Sequence, residues 1–149
     1  MVLRGLLTEV DLFLWLNRHY YYDLRSSGGQ YAFYDCYSLE FRFYAELKVR
    51  SAHYERLIIE RSKYDRIVKI ANANRSDALY ICSTPLGVWQ FDVGIMGIDW
   101  VEMPDLPVTS QFGNKDRVTK KVALLPLKAG RQLGEASNSR NGGGIYGNR

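Results

Sequence analysis

The chain has 149 residues, 46% of them apolar, a size and composition that suit one domain with its own hydrophobic core. The formal net charge of +4 permits a polyanionic partner without requiring one. The sequence contains no apolar run long enough to span a membrane, no cleavable signal peptide and no Cys/His cluster, so nothing in it supports membrane insertion, secretion or a Cys/His metal site. Cys36 and Cys82 lie in apolar strand patterns, which favours two reduced core thiols over a disulfide.

The first predicted element is a helix from Leu6 to about Arg18, because apolar residues recur there at helical spacing. Glu9 and Asp11 are acidic residues of the kind that suit an early helical turn. The aromatic stretch Tyr20–Arg25 predicts a first strand, and the Ser/Gly-rich residues 26–29 predict a flexible turn after it.

Residues 31–50 predict a β-hairpin. From Phe41 to Val49 every second residue is apolar, as in a half-buried strand, and the residues before position 39 alternate in the same way. A turn centred on residues 40 and 41 places Asp35 opposite Glu46, where cross-strand Cβ atoms are about 4.5–5.5 Å apart. The turn lacks a Gly or Asn that would fix its type, and another register sets Asp35 against Arg42 instead.

After the hairpin, an apolar stripe predicts a long helix over Tyr54–Asn74. The short apolar run Ala78–Ser83 predicts a buried strand, placed parallel to the Glu46 strand by a right-handed crossover. Residues 84–87 carry Pro and Gly where a turn favours them, and Val88–Val93 is expected to return as an antiparallel strand.

The last third of the chain is less regular. Residues 94–107 contain two prolines and predict no regular element, whereas Val118–Leu125 predicts a strand. The region around this strand is the most basic in the chain, and Lys120 and Lys121 are either ordinary solvated lysines or phosphate contacts. From Gly134 onward the composition predicts a disordered tail, so we expect one domain over residues 1–133 and a flexible tail over 134–149.

An aspartate, about ten residues and then Glu-x-Lys near a strand end resemble the active-site signature of the PD-(D/E)XK nuclease superfamily. The matching residues are Asp35, Glu46 and Lys48, although Tyr34 replaces the family's proline before the aspartate. The resemblance extends over residues 6–93 through the element order α-β-β-β-α-β. It implies an α/β fold with a mixed central sheet, flanked by helices, of the restriction-endonuclease kind.

The charges of the motif suggest a metal site. Two carboxylates about 4 Å apart repel by about 4 kcal/mol at an effective dielectric constant near 20, and a divalent cation would offset that repulsion. Asp35, Glu46 and the backbone carbonyl of Leu47 are therefore the predicted ligands of Mg²⁺ or Mn²⁺. The resemblance adds Glu9 as a further acid on the preceding helix, although a solvated carboxylate near a helix start is the favoured interpretation of Glu9. Lys48 would orient the attacking water or stabilise charge on the phosphate.

The resemblance also implies that DNA is the partner. It suggests Lys63 and Tyr54 as phosphate contacts on the following helix, and the basic side chains of Arg50, Lys120 and Lys121 are further candidates. A homodimer is one of the assemblies that small resolvase-like nucleases adopt, and no small-molecule cofactor is expected.

The leading hypothesis is thus a metal-dependent endonuclease that hydrolyses DNA phosphodiester bonds with limited sequence specificity. It would be of the kind found in phage and mobile-element proteins and would work in the cytoplasm, that of the host if it is phage-encoded. Three alternatives remain open: a catalytically inactive nuclease fold used for nucleic-acid binding or assembly, a structural interaction domain suggested by the many tyrosines, and an exposed salt-bridge ladder in place of a metal site.

Overall fold

The computed structural model describes residues 8–27, 36–107 and 116–135. They contain two helices, nine strands and a short 3-10 turn at Leu127–Ala129. No helix in them is both long and apolar enough to cross a lipid bilayer. In chain order the elements are α1 (Glu9–His19), β1 (Arg25–Ser26), β2 (Cys36–Ser38), β3 (Phe43–Val49), β4 (Arg56–Glu60), α2 (Arg61–Ala73), β5 (Asp77–Thr84), β6 (Gly87–Asp92), β7 (Val101–Pro107), β8 (Arg117–Pro126) and β9 (Arg131–Glu135).

The central sheet has six strands in the order β1-β2-β3-β5-β6-β9. Strands β3 and β5 are parallel, and the other neighbouring pairs in this sheet are antiparallel. The predicted mixed sheet is therefore confirmed, as are the parallel placement of residues 78–83 and the antiparallel return after residues 84–87. A parallel pair needs a long crossover, and the segment containing β4 and α2 provides it.

Strand β3 is covered on both faces. Phe43, Ala45 and Leu47 belong to the apolar cluster that contains the buried side of α1, whereas Tyr44 belongs to the cluster that contains Ile67 of α2. The prediction of a half-buried strand was wrong in this respect, because α2 and the second sheet cover the face that was expected to meet solvent. Cys36 and Cys82 lie in different clusters, buried and unbridged, as predicted.

The register of the β2–β3 pair matches the preferred prediction. Cys36 pairs with Ala45, and Ser38 pairs with Phe43. The alternative register, in which Asp35 faces Arg42, would have placed Cys36 opposite Phe41 and is not observed in the described pairs. Asp35 itself lies outside the described residues.

Helix α1 begins later than predicted, at Glu9, because Thr8 caps it. The Thr8 hydroxyl accepts a hydrogen bond from the Asp11 backbone N–H, and the Asp11 carboxylate accepts one from the Thr8 N–H, both at 3.1 Å. This reciprocal capping box satisfies two donors that would otherwise be unpaired at the helix start. Leu6, the predicted first residue, lies outside the described ranges.

The predicted helix over Tyr54–Asn74 is wrong in its first part, since residues 56–60 form strand β4. Leu57 and Ile59 are buried, and their neighbours are partly or fully exposed, which is the two-residue alternation of a strand. A short apolar run such as Leu57–Ile59 does not distinguish the two structures by periodicity. Strand β4 pairs with β8 in a second sheet of order β4-β8-β7, which the sequence analysis did not predict.

Residues 101–107 form strand β7 although they were predicted to be irregular. The strand tolerates Pro104 and Pro107 because it lies at the edge of the second sheet, where a missing N–H interrupts no inner ladder. The register shifts between Met103 and Leu106, and Asp105 has a positive φ of 60° at this bulge.

The predicted strand over Tyr20–Arg25 is also wrong, because only Arg25 and Ser26 pair, as β1. The Asn17 side-chain amide donates to the carbonyls of Tyr21 and Tyr22 at 3.1 Å each, which satisfies these acceptors within a turn.

At the other end of the domain, Val118–Leu125 is confirmed as part of β8, but β9 follows it. Strand β9 includes Gly134 and Glu135, where the tail was predicted to begin.

Candidate active site

Glu46 lies in the middle of β3, beside Tyr80 of β5, and is only 9% exposed. Lys63, in the first turn of α2, donates to the Glu46 Oε2 atom at 3.5 Å. The carboxylate therefore lies between the sheet and the start of α2. A carboxylate buried to this degree has to be paired or hydrogen-bonded, and here a cation from the crossover helix approaches it.

Lys48 lies two residues after Glu46 and therefore on the same face of β3. Burial lowers the pKa of Lys48, and the positive charges of Arg50 and Lys63 lower it further. The negative charges of Glu9 and Glu46 act in the opposite direction. The predicted catalytic lysine is thus a partly buried ammonium group in a mixed cluster of acids and cations, not a solvated surface lysine.

Glu9, in the first turn of α1, lies at the C-terminal end of β3, next to Lys48. Its Oε2 atom accepts a hydrogen bond from the Val49 backbone N–H at 3.2 Å. The capped start of α1 is thereby attached to the strand end next to Lys48. The predicted acid on the first helix consequently lies near the candidate site, where its carboxylate binds a backbone amide.

The described residues do not by themselves form a metal cage. No group of three or more His, Cys, Asp or Glu residues in the described ranges is arranged to hold a metal ion. Leu47 lies in the β3–β5 ladder opposite Ile81. Hard oxygen donors suit Mg²⁺, and Glu46 supplies one; its predicted partner Asp35 lies outside the described residues.

Arg50 has a different position from the one expected of a phosphate contact. Its guanidinium Nη2 atom donates to the Ile58 carbonyl at 3.0 Å and approaches the Tyr80 hydroxyl at 3.4 Å, and the Tyr80 hydroxyl donates to the same carbonyl at 2.8 Å. Tyr80 is fully buried, which raises the pKa of its phenol. Arg50 therefore links the central sheet to β4 in the second sheet.

This Arg50–Tyr80–Ile58 network was not predicted from the sequence. The Tyr80 hydroxyl within the largely apolar run Ala78–Ser83 was the available signal, since a buried tyrosine usually has a hydrogen-bond partner. The partner was not predictable, because Ile58 had been assigned to a helix.

The remaining candidate nucleic-acid contacts differ in their exposure to solvent and in their side-chain contacts. Tyr54 is 58% exposed in the loop before β4. The Lys120 Nζ atom donates to the Glu60 Oε1 atom at 3.1 Å, so this lysine is held by an acid of the neighbouring strand. Lys121 is exposed and lies opposite Glu102 of β7. Lys63, the remaining candidate beside Arg50, is in contact with Glu46.

The mixed central sheet with its flanking helices is a resolvase-like nuclease fold. The chain is similar to the solved structure of Hjc, a Holliday junction resolvase from the hyperthermophilic archaeon Archaeoglobus fulgidus, with a TM-score of 0.53 and 16% sequence identity. The match covers 84% of this chain and 88% of the resolvase chain. At this level of identity the similarity establishes the fold. A scan against protein-family models and a search of curated proteins give no match.

Proposed function

We propose that this protein is a metal-dependent endonuclease that hydrolyses DNA phosphodiester bonds and selects its substrate by structure, as a resolvase does. The observation that carries the proposal is the nearly buried Glu46 carboxylate with Lys48 on the same strand face and Lys63 in contact with it, in a fold shared with a Holliday junction resolvase. A nearly buried carboxylate can hold a divalent cation, and the lysines beside it can bind phosphate oxygens.

Glu46 and Asp35 are the proposed ligands of Mg²⁺ or Mn²⁺, with the Leu47 carbonyl as a third. The β2–β3 register supports this pairing, because its continuation by one residue from the Cys36–Ala45 pair would place Asp35 opposite Glu46. When bound, the ion would polarise the scissile phosphate and lower the pKa of a water. Glu9 is close enough to influence the charge of Lys48 and is proposed as an outer carboxylate of the same site.

Lys48 and Lys63 have complementary proposed roles. Lys48, with its lowered pKa, would position the attacking water or stabilise the charge that develops on the phosphate. Lys63 neutralises part of the Glu46 charge in the metal-free protein, and it would contact a phosphate oxygen once a cation takes that place. We expect a homodimer to present two such sites to a branched substrate.

A cleavage assay on four-way, linear double-stranded and single-stranded DNA with Mg²⁺ or Mn²⁺ tests the proposal. Glu46→Gln and Lys48→Met should each abolish cleavage, because each removes a charge from the site while nearly preserving side-chain size. Lys128→Met is the matched control, since Lys128 is an exposed lysine on the turn after β8. Cleavage that persists in Glu46→Gln would exclude Glu46 from the reaction.

A second candidate function is nucleic-acid binding or assembly by a nuclease fold without turnover. The Lys63–Glu46 contact favours it, since an ion pair can satisfy Glu46 without a metal. Thermal melting with and without Mn²⁺ separates the two candidates. An active metal site predicts that Mn²⁺ at a hundredfold excess over its Kd stabilises the parent by about 2.7 kcal/mol and stabilises Glu46→Gln much less. A parent that melts identically with Mn²⁺ and with chelator would support the second candidate.

A further inference from the structure

Helix α2 has a row of basic residues on its surface that begins at the candidate site. Lys63, Arg66 and Lys69 recur at intervals of three residues inside the helix. Each step of three residues turns by about 60° around the helix axis, so these three neighbouring side chains share one side of α2. We call Lys63, Arg66 and Lys69 the α2 basic row.

The segment that contains this row is strongly basic. Residues 61–75 contain five basic side chains and one acidic side chain, so their net charge equals that of the whole protein, +4. The acid, Asp65, lies 3.6 Å from Arg61, which is outside the row. Within the described residues, the side chains of Arg66, Lys69 and Arg75 form no ion pair, and all three are exposed.

The arrangement is unfavourable for the helix alone, because like charges at three-residue spacing repel each other. An anionic partner along the row would offset this charge repulsion. Arg75, which follows the C-cap Asn74 beyond the helix end, has a positive φ of 53°, a conformation that glycine adopts at lower cost and that is a separate property of the backbone.

We propose that the α2 basic row binds the sugar–phosphate backbone of a duplex DNA arm that extends from the cleavage site. This inference rests on the proposed function and specifies where the substrate lies. The row starts at Lys63, which touches Glu46, and runs along the helix to Lys69. At 1.5 Å per residue it is about 9 Å long, a length that matches roughly three phosphates of one strand at about 3.4 Å each along the helix axis.

The salt dependence of DNA binding tests the proposal. Fluorescence anisotropy is measured with a duplex and a four-way junction in chelator, so that no turnover occurs, over a range of salt concentrations. The double variant Arg66→Gln/Lys69→Gln should reduce the slope of log K against log salt by about 1.8, because each lost phosphate contact removes about 0.9. Arg18→Gln/Arg25→Gln loses the same charge from exposed positions on α1 and β1 and should keep the parental slope.

The outcomes separate this inference from the proposed function. If the α2 variant and the control have the same slope as a parent that binds and cleaves DNA, the row is not a DNA contact and the nuclease proposal stands. If the parent binds DNA with the predicted loss of slope in the α2 variant but cleaves nothing, the inference stands and the nuclease proposal fails. If the parent binds no DNA, both fail. Equal melting temperatures of all three proteins establish that folding does not cause the difference.

Discussion

Lys48 is a residue whose protonation is controlled by neighbours of both signs. Burial and the charges of Arg50 and Lys63 lower its pKa, whereas Glu9 and Glu46 raise it. We therefore predict that Lys63→Met moves the pKa of Lys48 upward, towards the ordinary value of 10.5, and that Glu46→Gln moves it further down. NMR titration of the lysine side chains measures both shifts. A Lys48 pKa that does not respond to either variant would show that these charges do not reach it.

The same pKa has a consequence for stability. Between the lowered pKa of Lys48 in the folded protein and 10.5, the unfolded chain holds a proton that the folded chain has released. The contribution of Lys48 to the free energy of unfolding therefore rises with pH in this alkaline window. Relative to the parent, Lys48→Met should be most stable at neutral pH and should lose this advantage as the pH approaches 10.5. Denaturant unfolding at several pH values gives the difference, and an advantage independent of pH would contradict the assignment.

At the same scale, the sequence was sufficient to predict that Glu46 and Lys48 share one face of a strand, but not to describe their surroundings. The alternation along β3 places both on one face whatever covers that face. Their surroundings include Lys63 of α2 and Glu9 of α1, whose approach to β3 is not encoded near residue 46. Arg50 follows the same alternation and was taken for a phosphate contact, yet its acceptor is the Ile58 carbonyl, on a strand that the local pattern did not reveal.

At the scale of the element, two glycine substitutions in and after α2 should change the free energy of unfolding in opposite directions. Replacing Arg75 by glycine should stabilise the protein by roughly 0.5–1 kcal/mol, since relief of the left-handed conformation is worth about 1–2 kcal/mol and the added chain entropy costs about 0.5–1. The matched variant Lys69→Gly, inside the helix, should destabilise it by about 1 kcal/mol. Urea unfolding of both variants measures the effects. Destabilisation by Arg75→Gly would mean that the Arg75 side chain contributes to the fold.

Element type was predictable where one periodicity was long and uncontested. The helix over residues 61–73 and the strand over residues 78–83 were assigned correctly, because a three-turn apolar stripe and a short, mostly apolar strand have few alternatives. Residues 56–60 and 101–107 were not, because their strand character depends on pairing with β8, which lies up to about 70 residues away. Such pairing is a tertiary effect that overrides local propensity.

At the scale of the whole molecule, β9 is the element that closes the central sheet, and the length of chain it needs can be tested by truncation. Leu133 is 2% exposed, the Tyr20 hydroxyl of the α1 end donates to its carbonyl, and Gly134 and Glu135 pair with β6. Removal of residues 136–149 should leave the melting temperature unchanged, since the tail is small, polar and Gly-rich.

Truncation after Gly130 should be strongly destabilising. It removes β9 and with it the burial of Leu133, which alone is worth about 1.5–3 kcal/mol, and it leaves β6 as an unpaired edge. Truncation after Leu133 keeps this side chain and loses only the pairing of Gly134 and Glu135, so its melting temperature should lie between those of the other two proteins. Differential scanning calorimetry of the three truncations orders them. If the protein truncated after Gly130 has the same melting temperature as the full-length chain, β9 does not stabilise the sheet, and the domain ends before it.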